Sequence, residues 1–449
     1  MAEICPFRAM HYNQSGVSGL EKVITQPYDK ISPEMQARYY ELSPYNLARI
    51  IRGRASATDT SQDNVYTRAA RDFHNWIERG ILLAAYEPAI YPYHQEYTLP
   101  GWPDSVRTRR GFIALLRLED YASRVVHPHE QTLSGPKADR LELLKSTRAH
   151  FGQIFMLYSD PKGAIEAELG RVAGEKPWQR LTDEYGTVHS VWGATDASII
   201  ESIIEAMRPK KLVIADGHHR YETALAYRDY CRGQEKAGTV NDQRGEYVMA
   251  TFVRMETDGL TILPTHRVVH SLPDFSWERF ATAVRESFEF ENLAAPANDP
   301  VWVSNFREKL AVAGRERPSI GVYAGQGRAG LLRVRREMDL PGVLPDVAPR
   351  LARLDVVVVH RLLLERALGI DPQAVREERN LHYVRDFDAA VQQVGRGEAQ
   401  LCFLMNPTPI EAVRDCAFDG QVLPQKSTDF YPKLLSGLTI YWLDNPAGI

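Results

Sequence analysis

Residues 212–225 read Leu-Val-Ile-Ala-Asp-Gly-His-His-Arg-Tyr-Glu-Thr-Ala-Leu, and this stretch decides the fold prediction. Its first four residues are apolar and predict a buried strand that ends in a turn at Asp216 and Gly217, because glycine accepts backbone angles that other residues avoid. A helix is expected to begin near His218. Its unpaired N–H groups attract an anion, and the planar fork of Arg220 suits phosphate oxygens. The pattern predicts a phosphate site.

The same residues also have a purely structural interpretation. His218 and His219 can be solvated residues at the start of a helix, and Asp216 can cap a helix end without touching a ligand. Many strand-turn-helix junctions serve only the fold. The local pattern alone therefore leaves both interpretations open.

The motif from Asp216 to Ala224 resembles the signature of the free-serine kinases of the ParB/sulfiredoxin-like superfamily, which phosphorylate L-serine to O-phospho-L-serine. The resemblance implies a mixed α/β (α+β) fold with a ParB/sulfiredoxin-like core and flanking α/β segments. Sulfiredoxin chemistry is not expected, because His218 stands where the resemblance places a nucleophilic cysteine. The whole chain also resembles a large, uncharacterised bacterial family related to these kinases, in segments 6–9, 27–32, 128–140, 214–224, 263–267, 354–361, 405–408, 424–428 and 430–433, with Asp429 as a local departure.

A second polar segment, residues 125–140, supplies groups that a kinase needs. Phosphoryl transfer requires an oriented hydroxyl, cations around the moving charge and a base near the nucleophile. We assign Glu130 as the base and Lys137 with Arg140 as compensating charges. The tripeptide that ends at Glu130 resembles the acidic element of the serine kinases. The structural alternative is that Glu130 begins a helix and pairs with Lys137 or Arg140 on the surface.

Polar residues elsewhere extend the predicted site. By the family resemblance, Thr265, His266 and Arg267 contact the phosphate, although strand-end residues of this kind are often solvated. The loop Lys426–Lys433 has backbone donors and lysines that can close on a phosphate, and a rigid surface turn fits it equally well. Asp355 is predicted to cap a buried helix.

Two other functions stay open. The first is a metal-dependent hydrolase, which needs a cluster of imidazole and carboxylate ligands. Its ligands would come from His127, His129, Asp216, His218 and His219. An arginine directly beside them argues against this site, because it repels a dication unless an anion lies between. The second is a non-catalytic regulator that binds a nucleotide or pyrophosphate and reports it to a partner.

The composition excludes several classes of protein. The chain has 449 residues, of which 44% are hydrophobic, enough for two or three domains with their own cores. With 54 Lys and Arg against 58 Asp and Glu and no basic block, it lacks the footprint of a nucleic-acid-binding protein. Its four cysteines have no metal-site or disulfide spacing, and no signal segment or membrane-spanning apolar run occurs. We expect a cytoplasmic protein that binds neither membrane nor nucleic acid.

Helical and strand patterns alternate along the chain. Residues 64–79 predict an amphipathic helix with Trp76 in the core, and residues 195–207 predict a helix with Thr195 as its N-cap. Buried strands are predicted at 111–118, 246–255, 260–263 and 401–405. We predict three parts, namely an N-terminal α/β segment packing on the core (1–119), a kinase core (120–290) and a C-terminal α/β domain (291–449).

These inferences combine into a kinase hypothesis with free L-serine as the acceptor. Glu130 accepts the hydroxyl proton, and Asp216 and His219 are the other predicted catalytic residues. The predicted phosphate-binding residues are Gly217, His218, His219, Arg220, Lys137, Arg140, Thr265, His266 and Arg267. Mg²⁺ is expected at Asp216, and the donor is ATP, ADP or pyrophosphate, because no Walker-type loop identifies a nucleotide. The sequence leaves the oligomeric state open.

Overall fold

The computed structural model describes residues 1–130, 135–234, 243–293 and 299–445. The contacts between its Cα atoms group the chain into two units. The first unit comprises 1–128, 132–261 and 432–449, and the second comprises 129–131 and 262–431. This grouping differs from the three consecutive parts predicted above, because the C-terminal segment returns to the first unit. There, Ser436 and Ile440 pair with Thr25 and Met10 near the start of the chain.

The first unit is built on a mixed nine-stranded sheet, in which the predicted strand at 212 holds an inner position. The strands of this unit are β1 (Ile4–Cys5), β2 (Met10–Tyr12), β3 (Leu82–Ala84), β4 (Tyr91–Leu99), β5 (Trp102–Arg117), β6 (Val126–His127), β7 (Ala149–His150), β8 (Ile154–Tyr158), β9 (Gln179–Thr182), β10 (Val188–Val191), β11 (Leu212–Asp216) and β12 (Tyr247–Arg254), with a last short strand at Tyr441–Trp442. The sheet order is β6-β11-β8-β12-β5-β4-β10-β9, and β1 pairs with β5. Strand β11 is parallel to β6 and antiparallel to β8.

The first unit also contains helices, namely α1 (Pro33–Leu42), α2 (Ala48–Ile51), α3 (Val65–Glu78), α4 (Gly135–Thr147), α5 (Ala164–Ala173), α6 (Ala197–Met207) and α7 (His218–Gln234). Of these, α5, α6 and α7 contribute residues to the apolar core of the sheet. Ile154, Ile214 and Phe252 of the sheet are fully buried in one cluster with Ile203 of α6 and Tyr221 of α7. None of the helices in the described ranges is long and apolar enough to cross a membrane.

Two of the predicted helices show how local sequence sets a helix start. Helix α3 confirms the prediction for 64–79, because the Asn64 side chain accepts the first N–H groups and Trp76 is buried. Helix α6 also forms where expected, but the assignment of Thr195 as its N-cap is wrong. The neighbouring Asp196 carboxylate accepts the N–H groups of Ser198 and Ile199 instead. Both residue types are good caps, so their order in the sequence could not decide between them.

The second unit carries an antiparallel six-stranded sheet in the order β15-β17-β16-β19-β14-β18. Its strands are β13 (Thr261–Leu263), which begins at the last residue of the first unit's central range, β14 (His266–Val269), β15 (Phe288–Asn292), β16 (Ser319–Tyr323), β17 (Ala329–Val334), β18 (Leu381–Val384), β19 (Leu401–Leu404) and β20 (Asp429–Tyr431). Its helices are α8 (Trp277–Ala283), α9 (Pro300–Gly314), α10 (Leu340–Val343), α11 (Asp355–Val358), α12 (Pro372–Arg376), α13 (Phe387–Gly395) and α14 (Ile410–Phe418), with a π-helix at Val359–Ala367. The predicted mixed α/β class is confirmed.

Asp355 does not cap α11, and that prediction is wrong. It is the first residue of the helix, and its carboxylate accepts hydrogen bonds from the Ser319 N–H at 3.2 Å and the Asn406 amide at 3.1 Å. Burial raises the pKa of Asp355 to about 7, and the hydrogen bonds from Asn406 and Ser319 offset only part of that rise. The carboxylate therefore links strand β16 to α11 at an energetic cost when it is ionised.

The raised pKa predicts how Asp355→Asn changes stability with pH. The folded chain holds this proton up to about pH 7, whereas the unfolded chain loses it near the ordinary aspartate pKa of 3.8. The carboxylate therefore lowers the free energy of unfolding as the pH rises from about 4 to about 7. Thermal unfolding between pH 5 and 8 should shift steadily in favour of D355N relative to the wild type. A difference that does not change with pH would contradict the assignment.

Candidate functional site

The predicted strand, turn and helix around Asp216 are confirmed in the first unit. Strand β11 ends at Asp216, and α7 begins at His218. Gly217 between them has a φ of 93°, a left-handed conformation that favours glycine. The Tyr221 N–H already bonds the Gly217 carbonyl at 2.9 Å, so the helix is regular from its first turn. Glycine is required here because the chain reverses within one residue.

Arg220 folds back from α7 over this turn. One of its terminal nitrogens donates to Asp216 Oδ2 at 2.9 Å, and the other donates to the main-chain carbonyl of Gln153. A Cβ atom at Gly217 would lie 3.1 Å from the guanidinium of Arg220. The glycine thus serves both the backbone turn and the close approach of the arginine.

Positive charge surrounds the Asp216 carboxylate. Lys433 Nζ lies 3.6 Å from Oδ1, on the other carboxylate oxygen from the one that Arg220 binds. Burial alone would raise the pKa of Asp216, but the charges of Lys433, Arg220, Lys30 and His218 outweigh it and hold that pKa well below its usual range. Three permanently cationic side chains thus act on one carboxylate. Such an excess of positive charge favours an added anion.

A cavity opens beside Arg220 within the same unit. Its empty volume is about 580 Å³, including space open to solvent. Most of its lining is apolar or aromatic: Pro27, Tyr28, Ile51, Leu143, Leu144, Ala149, His150, Phe151, Gly152, Ile154, Thr223 and Ser436, with Arg140 and Arg220 as cations. The site therefore joins a cationic end to an apolar recess.

Of the cations predicted in the 125–140 segment, Arg140 reaches this cavity. Its guanidinium lies 4.2 Å from the centre of the Tyr28 ring, donates to the Ile51 carbonyl at 2.7 Å and pairs with Asp139. Lys137 forms an ion pair with Glu222 of α7. The structure thus brings Arg140 and Arg220 to one cavity and places Lys137 on the neighbouring helix pair.

Glu130 belongs to the second unit. It does not begin a helix, because its own backbone takes part in a β-bridge. Its backbone forms a parallel bridge with Leu423, and its Oε1 accepts the Lys426 N–H at 3.0 Å. The neighbouring His129 side chain hydrogen-bonds the Thr428 hydroxyl at 2.7 Å. The role of Glu130 as a base stays a prediction.

The predicted phosphate contacts at 265–267 also lie in the second unit and take part in its internal hydrogen bonds. His266 is buried, and its Nδ1 accepts the Met405 N–H at 3.0 Å. Burial and the nearby Arg267 lower the pKa of His266 to about 3, so the ring is neutral. Arg267 is buried and donates to the carbonyls of Thr265 and Lys426.

Within the described part of the chain, no three His, Cys, Asp or Glu side chains come together as metal ligands. Of the five ligands that the hydrolase hypothesis needs, His127 bonds the Arg124 carbonyl at 2.9 Å. The predicted Mg²⁺ ligand Asp216 faces a cation at each oxygen, which suits an anion better than a divalent cation. The surroundings of Asp216 therefore do not suit a bound metal ion.

Two residues at the site were missed by sequence reasoning. The charge of Lys30 lowers the pKa of Asp216, and Tyr28 lines the cavity. Both lie in segment 27–32, to which the family resemblance drew attention without a role. Lys433 was named with its loop, but nothing in its local pattern distinguished an anion ligand from a surface lysine.

Residues 4–357 match the model of the family described as "Protein of unknown function (DUF1015)". The chain belongs to this family. No curated protein matches it significantly. The matched range includes residues of both units, so the similarity to the DUF1015 family extends well beyond the motif at Asp216.

Solved structures resemble this DUF1015 protein only distantly. A mutant free serine kinase in complex with AMP has 13% identity and a TM-score of 0.36, over 73% of this chain and 92% of that one. A conserved hypothetical protein from Pyrococcus furiosus has 11% identity and a TM-score of 0.34, over 73% and 95%. Truncated SbnI from Staphylococcus aureus has 9% identity and a TM-score of 0.34, over 74% and 90%. Likenesses at this level carry no argument about activity.

The Gly217 turn yields a test of the site itself. In Gly217→Ala the left-handed backbone should cost about 1–2 kcal/mol of stability, and the new methyl group should displace Arg220. Binding of inorganic pyrophosphate, measured by calorimetry, should weaken at least tenfold.

Gly80→Ala is the matched control, because Gly80 also has a positive φ of 67° but no atom within 4 Å of its added Cβ. It should lose similar stability and keep its affinity for pyrophosphate. Equal affinities in both variants would show that Arg220 does not bind the anion.

Proposed function

We propose that this protein is a small-molecule kinase that transfers a phosphoryl group to the hydroxyl of L-serine. One observation carries the proposal, namely that Arg220 and Lys433 contact the Asp216 carboxylate at the start of α7 while the charge of Lys30 also acts on it. A phosphate group brings negative charge, which balances the excess of positive charge around the single carboxylate. The resemblance of the 216–224 motif to the free-serine kinases supports the reaction class.

Each residue of the site has a role in holding a donor. Arg220 offers a planar pair of N–H groups, and Lys433 and Lys30 add point charges that neutralise phosphate oxygens. The N–H groups at the start of α7, around His218 and His219, form the positive end of the helix dipole, which attracts phosphate. These fixed positive groups stabilise the charge that moves with the phosphoryl group.

The adjoining cavity favours a nucleotide over pyrophosphate as the donor. Pyrophosphate has no apolar part, whereas a nucleoside carries an aromatic base that Tyr28, Phe151 and Leu143 of the apolar recess could contact. Arg220 lies at the edge of that recess, so a ligand can reach both parts at once. ADP and ATP therefore suit the site better than pyrophosphate.

The base is the part of the proposal that depends on the sequence alone. Proton acceptance from the serine hydroxyl needs a carboxylate or imidazole, and the motif resemblance assigns this role to Glu130. The hydrogen bond from the Lys426 N–H orients one of its oxygens. Asp216 is less suited to the role, because its two oxygens face cations that keep it ionised and weakly basic.

The central test is a phosphoryl-transfer screen of L-serine with ATP, ADP and pyrophosphate in the presence of Mg²⁺, read by mass spectrometry of O-phosphoserine. Product is expected with a nucleotide. Arg220→Ala should weaken donor binding at least tenfold, and Glu130→Gln should abolish turnover while donor binding persists.

Arg232→Ala is the control for these variants, since it removes the same charge from the same helix where Arg232 pairs with Glu246. It should behave as the wild type. Full activity in Glu130→Gln would reassign the base. Nucleotide binding without any product would favour the non-catalytic regulator, and no binding of any donor would refute the proposal.

The nucleoside recess is tested by comparing AMP with ribose 5-phosphate, which share the phosphate and sugar but differ in the base. The wild type should bind AMP at least tenfold more tightly if the base enters the recess. Leu143→Trp should reduce that ratio toward one, because the larger side chain occupies the recess, and should leave pyrophosphate binding unchanged. Equal affinities of the wild type for AMP and ribose 5-phosphate would place the base elsewhere.

A further inference from the structure

The C-terminal segment Pro432–Leu443, here named the strap, runs through the first unit and contributes to the site. Lys433 lies at the Asp216 carboxylate, and Ser436 lines the cavity. The strap includes the short strand Tyr441–Trp442, which pairs with β7. Before that strand, from 432 to 440, the segment lies outside any named strand, so other groups must satisfy its backbone polar atoms.

Main-chain groups of Thr25, Phe151 and Met10 satisfy part of the strap at residues 436, 437 and 440, and buried side chains of the large sheet bond other carbonyls. On β4, the Gln95 amide donates to the Lys433 carbonyl at 2.9 Å. On β5, Arg109 donates to the Pro432 carbonyl, and its Nε donates to Gln95 Oε1 at 2.9 Å. Gln95 and Arg109 thus form a bonded pair that grips two consecutive carbonyls of the strap, at and just before Lys433.

Further along the strap the same pattern continues. The Tyr93 hydroxyl hydrogen-bonds His189 Nδ1 at 2.6 Å. It also hydrogen-bonds the backbone of Leu435. His189 Nε2 in turn lies 3.2 Å from Asp183 Oδ2. The Gln179 amide donates to the Leu438 carbonyl at 3.0 Å. Polar residues that alternate along β4 therefore face the strap, where an apolar sheet face would be usual.

Arg109 is the most costly member of this set. Its side chain is 1% exposed, stacks 4.6 Å from the centre of the Phe155 ring, and has its pKa lowered to about 10 by burial. A buried guanidinium is retained only where its hydrogen bonds are made, since an unpaired one is strongly destabilising. Arg109 and Asp216 also interact electrostatically, which ties this charge to the anion site.

We propose that Gln95 and Arg109 are positioning residues that hold the strap so that Lys433 stands at Asp216, and that they thereby set the affinity of the anion site. The inference rests on the proposed function for the role of Lys433. It goes beyond that function because neither Gln95 nor Arg109 lines the cavity or belongs to the recognised motif. Their effect passes through the main chain of residues 432 and 433.

The test is a double-mutant cycle between Gln95→Met and Lys433→Met, with pyrophosphate binding measured by calorimetry. Gln95→Met keeps the length of the side chain but removes both of its hydrogen-bonding groups. It should weaken pyrophosphate binding about tenfold in the wild-type background and have almost no effect once Lys433 is already replaced. Equal effects of Gln95→Met in both backgrounds would mean that it acts by general destabilisation, and would overturn the proposal.

Tyr97→Phe is the matched control. Tyr97 lies two residues further along β4, is similarly buried, and hydrogen-bonds the Gly259 carbonyl and the Thr261 hydroxyl. It should lower the melting temperature without changing pyrophosphate affinity. A loss of affinity in Tyr97→Phe as large as in Gln95→Met would also contradict the proposal.

Hydrogen exchange separates this inference from the proposed function. Amide protection in residues 433–440 should fall in Gln95→Met and persist in Tyr97→Phe, whether or not a ligand binds. If the wild type binds no pyrophosphate, the kinase proposal fails, and the exchange result still decides whether Gln95 holds the strap. Unchanged strap protection in Gln95→Met would refute the positioning role.

Discussion

The ion pairs on Asp216 are the interaction on which the rest of the first unit's site depends. Arg220 and Lys433 each bind one oxygen of this carboxylate, and together they join the turn after β11 to the C-terminal strap. Without the carboxylate, the cations would face one another in a partly buried place. At a separation of about 4 Å and an effective dielectric constant of 20, two like charges repel by about 4 kcal/mol. Asp216 therefore makes the cluster of cations possible, and its single charge leaves the cluster able to take an anion.

The topology explains why this cluster can form at all. Strand β11 lies between β6 and β8, and α7 begins at His218, directly after the strand and its glycine turn. The N-terminal segment that carries Lys30 and the strap that carries Lys433 then meet through the pairing of Thr25 with Ser436. Three parts of the chain separated by hundreds of residues thus converge on one turn. Each contributes a cation, and none of them has the site by itself.

How much of this could be read from the sequence depends on the range of the contact. The strand, the glycine turn and the helix at 212–225 are local, so apolar pattern and residue chemistry predict them, and the structure agrees. Helix caps are also local, but Thr195 and Asp196 are both suitable N-caps for α6. Only the path of the folded backbone decides which of the two caps the helix. The clamp of Gln95 and Arg109 on the strap is invisible in the sequence. Its partners are backbone carbonyls more than 300 residues away, and a carbonyl leaves no trace in residue identity.

The arrangement also bears on how tightly the proposed donor can bind. Arg220 is held by Asp216 and by the Gln153 carbonyl before any ligand arrives, so little side-chain freedom is lost on binding. The same contacts compete with the phosphate, because each N–H group given to the ligand must leave or share an oxygen that it already bonds. Preorganisation favours binding, and competition from Asp216 limits it. Under the proposed function the site would have to release its spent nucleotide at every turnover, which needs both, and a carboxylate among cations provides them.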